Sequence, residues 1–229
     1  MAEKSVEKDS LDSIIPSLER EGILLSEDQK ERLDAFGALV KKWNARINLV
    51  GRREPVYSRH ILDCLMLEKL PPPRDPPRVL DVGSGAGFPG LVMAILHRNW
   101  VVDSVDSTAK KITFQREAVR LLQVPSFNPV RADIYQWLEA QENHRAYHLM
   151  LSRAFTALPG LLEIADRALA PEGVLWAMKG KGWVEEWGSV PSVLAGKFEQ
   201  VESPVVYRTG EESGEGVLLS FKKTAPNAE

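Results

Sequence analysis

A glycine-rich turn directly after a short apolar strand is the feature that most restricts the fold of this chain. Residues 78–82 form an apolar run, and the turn that follows places glycine at every second position, at Gly83, Gly85 and Gly87. Glycine lets the backbone turn sharply and approach a ligand without a Cβ clash, and Pro89 suits the first turn of a helix. This order predicts an open parallel sheet that binds its ligand beyond the carboxyl ends of the strands.

Strand and helix patterns alternate along the rest of the chain, which predicts an α/β protein with a mostly parallel sheet and helices on both faces. The seven predicted strands cover residues 78–82, 100–105, 127–131, 147–152, 174–178, 200–207 and 217–222. The predicted helices cover residues 89–97, 108–122, 134–141, 158–169 and 183–194. A hairpin loop is predicted at residues 210–216.

The first 70 residues carry helical patterns alone. Three helices are predicted. The first covers residues 11–18, the second follows a capping box formed by Ser26 and Gln29, and the third covers residues 56–69. A proline-rich run at 71–77 cannot continue a helix. We therefore expect a helical N-terminal extension at residues 1–70, a linker at 71–77 and an α/β domain at 78–229.

Charge and cysteine content restrict the possible partners. The net charge is −3, yet residues 41–60 hold six basic residues and one acid, a local patch that can bind phosphates or form a solvated surface. Cys64 is the single cysteine and the four histidines lack metal-ligand spacing, so neither a disulfide nor a metal site is expected. With no apolar signal core and no 18-residue apolar run, we expect a cytoplasmic protein with no membrane partner.

Two classes of nucleotide cofactor match the glycine turn. Gly85, Gly87 and Gly90 satisfy the dinucleotide fingerprint, with Asp106 about 20 residues further on as a ribose ligand. Alternatively, Asp81 precedes an alternating glycine series that resembles motif I of class I methyltransferases, which bind S-adenosyl-L-methionine. The second alignment is favoured because Asp81 can anchor the methionine ammonium. Asp106 can accept hydrogen bonds from both ribose hydroxyls or can cap the helix that follows.

Several further segments resemble one family, the ribosomal small-subunit RNA methyltransferase G family, also called glucose-inhibited division protein B. They lie in family order between residues 33 and 181 and are Trp43-Asn44-x-x-Ile47-Asn48-Leu49, Arg59-His60-Ile61-Leu62-Asp63, Leu80 to Gly90, Asp106-Ser107 with Lys110-Lys111, Ser152-Arg153-Ala154-Phe155 and Met178-Lys179-Gly180. The resemblance implies a Rossmann-like methyltransferase domain. It also implies N7 methylation of a single guanine, numbered 527, in the 530 loop of 16S small-subunit rRNA.

The resemblance also implies a set of cofactor ligands, namely Gly83, Phe88, Ala132, Asp133 and Arg153. Asp133 can accept from the adenine amino group or can cap a helix. Arg153 and Lys179 end the fourth and fifth strands and are the candidate catalytic, positioning residues. Lys179 can contact RNA or form a structural salt bridge, and His60 can contact the substrate or pack in the core.

The candidate phosphate contacts to RNA are basic side chains of the N-terminal part and of the helix after the second strand, namely Arg46, Arg52, Arg53, Arg59, Lys110 and Lys111. Either 16S rRNA or the small ribosomal subunit is the expected partner, and a monomer is the expected oligomeric state. Three alternatives stay open on the residues alone: a methyltransferase for a small molecule or protein, an NAD-dependent oxidoreductase, and a cofactor-binding module without turnover.

Overall fold

A twisted eight-stranded sheet organises the molecule in a computed structural model, which describes residues 9–72, 77–208 and 215–225. The sheet order is β3-β2-β1-β4-β5-β8-β6, and β7 also pairs with β8. The strands are β1 (Arg78–Val82), β2 (Val101–Asp106), β3 (Phe127–Arg131), β4 (Tyr147–Arg153), β5 (Leu169–Lys179), β6 (Phe198–Gln200), β7 (Val205–Arg208) and β8 (Glu215–Lys223). Strands β1 to β5 are parallel, whereas β8 runs antiparallel to β5. The predicted α/β class is therefore confirmed.

The predicted count of seven strands is wrong by one. The single strand predicted at 200–207 is two strands, β6 and β7, which pair with the same edge of β8, at its end and at its start. Pro204, just before β7, has no backbone N–H and cannot donate to the ladder. The gap in pairing between β6 and β7 thus divides one edge strand without changing the architecture. Most of the predicted hairpin loop at 210–216 lies outside the described residues.

Side chains of each strand alternate between two apolar clusters, one on each face of the sheet. In β5, Trp176 belongs to the first cluster and its neighbours Leu175 and Ala177 to the second. The first cluster is covered by α1 (Leu11–Arg20), α2 (Glu27–Asn44), α3 (Leu62–Leu65), α4 (Gly90–Leu96) and α5 (Ala109–Leu122). The second is covered by α6 (Ile134–Trp137), α7 (Leu158–Ala168), α8 (Trp183–Gly188) and α9 (Ser192–Ala195). Helices therefore cover both faces, as predicted.

The N-terminal helices share the first cluster with the sheet. Phe36 of α2 lies 5.2 Å from the ring of Phe88 in the glycine turn, and Trp43 contacts Phe114 of α5 edge-on at 5.5 Å. The predicted capping box of α2 is present, since Ser26 and Gln29 bond reciprocally. Residues 73–76, the middle of the proline-rich run, lie outside the described residues, so the proposed domain boundaries stay a prediction.

Three predicted helices differ from the structure in form. Residues 56–69 form a π-helical segment (Val56–Ile61), then α3, then a 3-10 turn (Met66–Lys69). The helix predicted at 134–141 ends at Trp137, and that predicted at 183–194 is divided into α8 and α9 around Pro191. No helix in the described ranges is long and apolar enough to cross a membrane.

Candidate functional site

The glycine turn adopts a left-handed backbone at all three alternating glycines, with φ of 68° at Gly83, 58° at Gly85 and 89° at Gly87. Gly83 N–H donates to Val105 O at 2.9 Å, which fixes the turn to the end of β2. A Cβ on Gly83 would collide with the ring of Phe155, in the loop after β4. Any other residue at Gly83 would therefore meet both backbone strain and a steric clash.

A buried glutamine on α5, which was not predicted from sequence as a site residue, holds the turn from beneath. Gln115 Nε2 donates to Ser84 Oγ and to Gly85 O, both at 2.8 Å, while its Oε1 accepts from Ser104 Oγ at 3.0 Å. The side chain is fully buried. Its position three residues after Ile112 and three before Ala118, on the apolar stripe of α5, was the available signal, since a buried polar group needs partners.

A cavity of about 250 Å³ opens beside the turn, at the carboxyl ends of the parallel strands. Its lining contains five residues that the sequence analysis selected, namely Gly83, Asp106, Lys111, Ala132 and Asp133. The other lining residues are Val105, Ser107, Thr108, Ile134, Ala154 and Phe155. The predicted ligands Asp81, Gly85, Gly87, Phe88 and Arg153 do not line it.

Asp106 is held rigidly at the rim of this cavity. Its Oδ2 accepts from Gly85 N at 2.9 Å and its Oδ1 from Thr108 N at 2.8 Å, and Lys111 Nζ lies 3.9 Å from Oδ2. The N-cap of α5 is Thr108 and not Asp106. Each carboxylate oxygen has a second lone pair, so the side chain can still accept from a ligand.

Asp133 has the position of a helix cap. Its Oδ1 accepts from Tyr135 N at 2.9 Å and from Gln136 N at 3.3 Å, at the start of α6. The residue is exposed and lines the cavity. The capping role that the sequence left open is therefore present, and the contact to adenine stays a prediction.

Asp81 lies beneath the turn and is fully buried. Its Oδ2 accepts from Gly90 N at 3.0 Å, whereas its Oδ1 has no hydrogen-bond partner within the described residues. Burial raises the pKa of this carboxyl to about 7, and the nearby Asp106 adds to the shift. A buried carboxylate oxygen without a partner is suited to a cationic group of a ligand.

Arg153, at the end of β4, belongs to a buried polar cluster that joins the N-terminal part to the sheet. Its Nε lies 2.7 Å from Asp63 Oδ2, and its Nη2 lies 2.8 Å from His60 Nδ1. Tyr207 of β7 donates to Asp63 Oδ1. Asp63 and Tyr207 were not selected from sequence as functional, because only the fold brings residues this far apart into contact.

His60 and Phe88 pack together against the Arg153 guanidinium. The two rings stack at 5.4 Å, and the guanidinium carbon lies 5.7 Å from the Phe88 ring centre. His60 Nε2 is 3.1 Å from Glu54 Oε2, although not in hydrogen-bonding geometry. Burial, reinforced by the charge of Arg153 and opposed by Glu54, lowers the pKa of His60 to about 4. This histidine is therefore neutral at pH 7, in the packed arrangement that the sequence left open.

Lys179, at the end of β5, is also paired. Its Nζ lies 2.6 Å from Glu186 Oε2 of α8 and donates to Thr156 O at 2.7 Å. A second cavity of about 340 Å³ lies here, next to the first, and Ala154 lines both. Its lining includes Arg59 and Arg153. The structural salt bridge considered for Lys179 is thus present, and contact with RNA stays a prediction.

The other candidate RNA-binding side chains lie at the surface. Arg46, Arg52, Arg53 and Lys110 are exposed, and Arg59 and Lys111 are half-buried. Asn44 shapes the loop that carries Arg46, Arg52 and Arg53. Its Oδ1 accepts from the backbone N–H groups of Leu49 and Val50 at 2.8 and 3.1 Å. Within the described ranges, no group of three or more His, Cys, Asp or Glu residues is arranged to hold a metal.

The fold is that of class I, S-adenosyl-L-methionine-dependent methyltransferases. An O-methyltransferase from Bacillus cereus, in complex with SAH, superposes with a TM-score of 0.59 at 14% identity, over 92% of this chain and 97% of that one. The fibrillarin/Nop5p complex gives a TM-score of 0.54 at 18% identity, over 72% and 82% of the two chains. At these identities the likeness concerns the fold alone.

Sequence comparison then gives the family. The family model for rRNA small subunit methyltransferase G, GidB, matches residues 29–211. A ribosomal RNA small subunit methyltransferase G from Geobacter sp. (strain M21) is 40% identical over 72% of this chain and 75% of its own length. The one from Burkholderia multivorans is 38% identical over 69% and 70%. The chain belongs to this family, as its motifs predicted, and is a methyltransferase that uses S-adenosyl-L-methionine.

The residues around the first cavity fit that cofactor. The glycine turn allows close approach of a ligand, and Asp106 presents a fixed carboxylate at the rim. Asp81, whose buried Oδ1 has no partner within the described residues, lies beneath the turn and outside the lining. A sulfonium nucleoside carries ribose hydroxyls, which are donors that a fixed carboxylate such as that of Asp106 can accept. Methyl transfer, and not the hydride transfer considered for an NAD enzyme, is the chemistry of this protein.

Proposed function

We propose that the protein methylates N7 of a single guanine, position 527 in the 530 loop, of 16S rRNA. The observation that carries the proposal is the cavity bounded by Gly83 and Asp106, which adjoins a second polar cavity next to the basic residue Arg59. The relatives' names assign them to small-subunit ribosomal RNA. In the cell we expect a cytoplasmic monomer that acts on this RNA or on the small ribosomal subunit.

The chemistry requires positioning more than proton transfer. S-adenosyl-L-methionine, when bound, supplies an electrophilic methyl group on a sulfonium. Guanine N7 has a free lone pair at neutral pH, so no general base has to act on it. The neutral His60, stacked on Phe88 and held by Arg153, is consistent with a structural role. Catalysis would arise from holding the two reactants in line.

Each acid of the site has a separate task in this proposal. Asp106, fixed by Gly85 and Thr108, would accept from the ribose hydroxyls. Asp81 would accept from the ammonium group, and the positive charge of that group would favour the ionised carboxylate in spite of its burial. Asp133 and Ala132 would border the adenine.

The RNA backbone would be held by the basic residues at the surface. Phosphate contacts position a nucleic acid without reading its sequence. The candidates are the six residues predicted from sequence, Arg46, Arg52, Arg53, Arg59, Lys110 and Lys111.

Mapping the transferred methyl group tests the proposal directly. Unmodified small-subunit RNA, free or within the 30S particle, would be incubated with the protein and labelled S-adenosyl-L-methionine. We expect one labelled guanine, at position 527, with the label at N7. Label at another nucleotide or another atom would refute the assignment. Label on a small molecule or protein and none on RNA would support the alternative substrate class instead.

A further inference from the structure

The second cavity contains groups of both charges, which is unusual for a site that holds phosphate alone. Its lining includes the cations Arg59, Arg153 and Lys179 and the carboxylates Asp63, Glu186 and Glu215. Both oxygens of Asp63 are already bonded, to Arg153 and to Tyr207. Glu215 is paired with Arg208, outside the lining, at 3.2 Å. Glu186 is the lining carboxylate that is paired with a lining lysine, Lys179.

The ion pair between Lys179 and Glu186 is held in place by neighbouring groups, but its two members have hydrogen-bonding capacity left. Both contacts of the Glu186 carboxylate, to Lys179 Nζ at 2.6 Å and from Leu158 N at 2.8 Å, involve Oε2. Its side chain is 31% exposed. Lys179 Nζ has three protons and contacts Thr156 O and Glu186 Oε2. Both side chains line the second cavity, and each can form another hydrogen bond.

This arrangement has the polarity of a guanine-binding site. The Watson–Crick edge of guanine presents an acceptor, O6, beside two donors, the N1–H and the 2-amino group. We infer that the Lys179–Glu186 pair binds this edge of the target base, with Lys179 donating to O6 and Glu186 accepting from N1–H and the amino group. The inference rests on the proposed function and names how that site selects guanine.

The same arrangement leaves N7 free and disfavours adenine. N7 lies on the adjacent Hoogsteen edge of guanine, which shares only O6 with the Watson–Crick edge. Adenine has an amino group at position 6 and an acceptor at N1, so each would face a group of its own kind, a donor against Lys179 and an acceptor against Glu186. A site built to bond a substrate's polar groups rejects analogues that leave those groups unpaired. The cofactor cavity is adjacent, since Ala154 lines both cavities.

Base analogues at the target position test the inference in the unaltered protein. RNA fragments with guanosine, inosine or 2-aminopurine at that position would be compared for affinity with SAH present, by fluorescence anisotropy, and for methyl transfer. Inosine lacks the amino group, and 2-aminopurine lacks both O6 and the N1 proton. We expect inosine RNA to bind about tenfold more weakly than guanosine RNA, because one charge-assisted hydrogen bond is lost, and 2-aminopurine RNA more weakly still.

A variant then assigns the discrimination to the carboxylate. Glu186→Gln keeps an acceptor for Leu158 N–H but directs an amide donor at the base, so kcat/KM with guanosine RNA should fall at least tenfold and the guanosine-to-inosine ratio should approach one. The matched control is Glu185→Gln, since Glu185 is exposed on the same helix and is not part of the lining. It should keep the wild-type ratio.

The outcomes separate the two proposals. Equal binding and transfer with all three bases, or an unchanged ratio in Glu186→Gln, would overturn the guanine-binding inference while the methylation activity stands. No transfer by the wild-type protein to the guanosine fragment or to small-subunit RNA would overturn the proposed function and this inference with it.

Discussion

Two aspartates that end neighbouring parallel strands show how burial divides the tasks of chemically identical side chains. Asp106 is at the rim of the first cavity with its carboxylate held by two backbone N–H groups, whereas Asp81 is fully buried with one oxygen lacking a partner among the described residues. Desolvation raises the pKa of Asp81, and a cationic ligand group would offset that effect. The sequence showed that an aspartate stands near the end of each strand. The protonation state of Asp81, however, depends on the atoms that surround it in the folded protein.

Removal of the Asp106 carboxylate tests its proposed contact with ribose. In Asp106→Ala, SAH should bind about 10 to 100-fold more weakly, because charge-assisted hydrogen bonds to the ribose hydroxyls are lost. Isothermal titration calorimetry gives the affinity, and circular dichroism should show a folded domain. Ser107→Ala, an exposed neighbour in the same cavity, serves as the control. Wild-type affinity in Asp106→Ala would make the ribose assignment wrong.

The raised pKa of Asp81 predicts a pH dependence of stability in the protein without ligand. Between its ordinary value of 3.8 and about 7, the native carboxyl binds a proton that the unfolded chain has released. The free energy of unfolding therefore decreases, through this group, as pH rises across that window, and is constant above it. Asp81→Asn keeps an acceptor for Gly90 N–H and removes the titration.

Urea denaturation of both proteins from pH 5 to pH 8 provides the measurement. The stability of Asp81→Asn relative to wild type should increase over this range by up to about 3 kcal/mol. Other titrating groups cancel in the difference between the two proteins. A difference that does not change with pH would show that the Asp81 pKa is close to its ordinary value.

At the scale of elements, the π-helical segment Val56–Ile61 is held by a residue far away in sequence. Asp9 accepts from Val56 N at 2.9 Å and from Tyr57 N and Ser58 N at 3.1 Å each, and its Oδ2 lies 2.9 Å from Lys41 Nζ. These N–H groups are the ones that a helix start leaves without partners. The segment carries Arg59, which lines the second cavity, and His60, which contacts Arg153, so its start affects the site.

Loss of this cap should destabilise the protein. Asp9→Ala leaves three backbone N–H groups without their acceptor, which should lower the free energy of unfolding by about 2 kcal/mol. Urea denaturation at pH 7 provides the value. Asp12→Ala, an exposed acid in the first turn of α1, should change stability by no more than about 0.5 kcal/mol. Equal effects of the two substitutions would argue against the cap.

At the scale of the whole molecule, a net charge of −3 coexists with a basic region near the site. The exposed residues Arg46, Arg52 and Arg53 lie in the loop between α2 and the π-helical segment. The π-helical segment itself contributes Arg59 to the second cavity. Local charge, and not the total, decides where a polyanion docks. We therefore expect RNA to approach from this side.

Charge reversal at Arg52 and Arg53 tests this expectation. The double variant Arg52→Glu and Arg53→Glu should bind small-subunit RNA more weakly, and the slope of log affinity against log salt should flatten by about 1.5 to 2. Reversal of Arg98 and Arg120, an exposed pair after α4 and in the last turn of α5, is the matched control. An unchanged salt slope in the first variant would exclude these two arginines as phosphate contacts.

Local patterns were enough to predict most of the fold. The glycine turn, the alternating order of strands and helices and the capping box at Ser26 depend on interactions within a few residues, and the structure contains all three. The split of the edge strand before Pro204 and the short α6 were missed, because element ends depend on pairing partners and packing. The predicted site residues Gly83, Asp106 and Asp133 follow strand ends, and parallel strands place those ends together.

The sequence by itself determined the architecture, the family and the cofactor, because these depend on short motifs whose meaning is local. Tertiary structure alone decided which side chains meet across long separations. Examples are Asp9 with the start of the π-helical segment, Gln115 beneath the turn, Tyr207 with Asp63, and Lys179 with Glu186. The physical reason is that hydrogen bonds and desolvation act through space over a few ångströms, so their partners are defined only once the chain has folded.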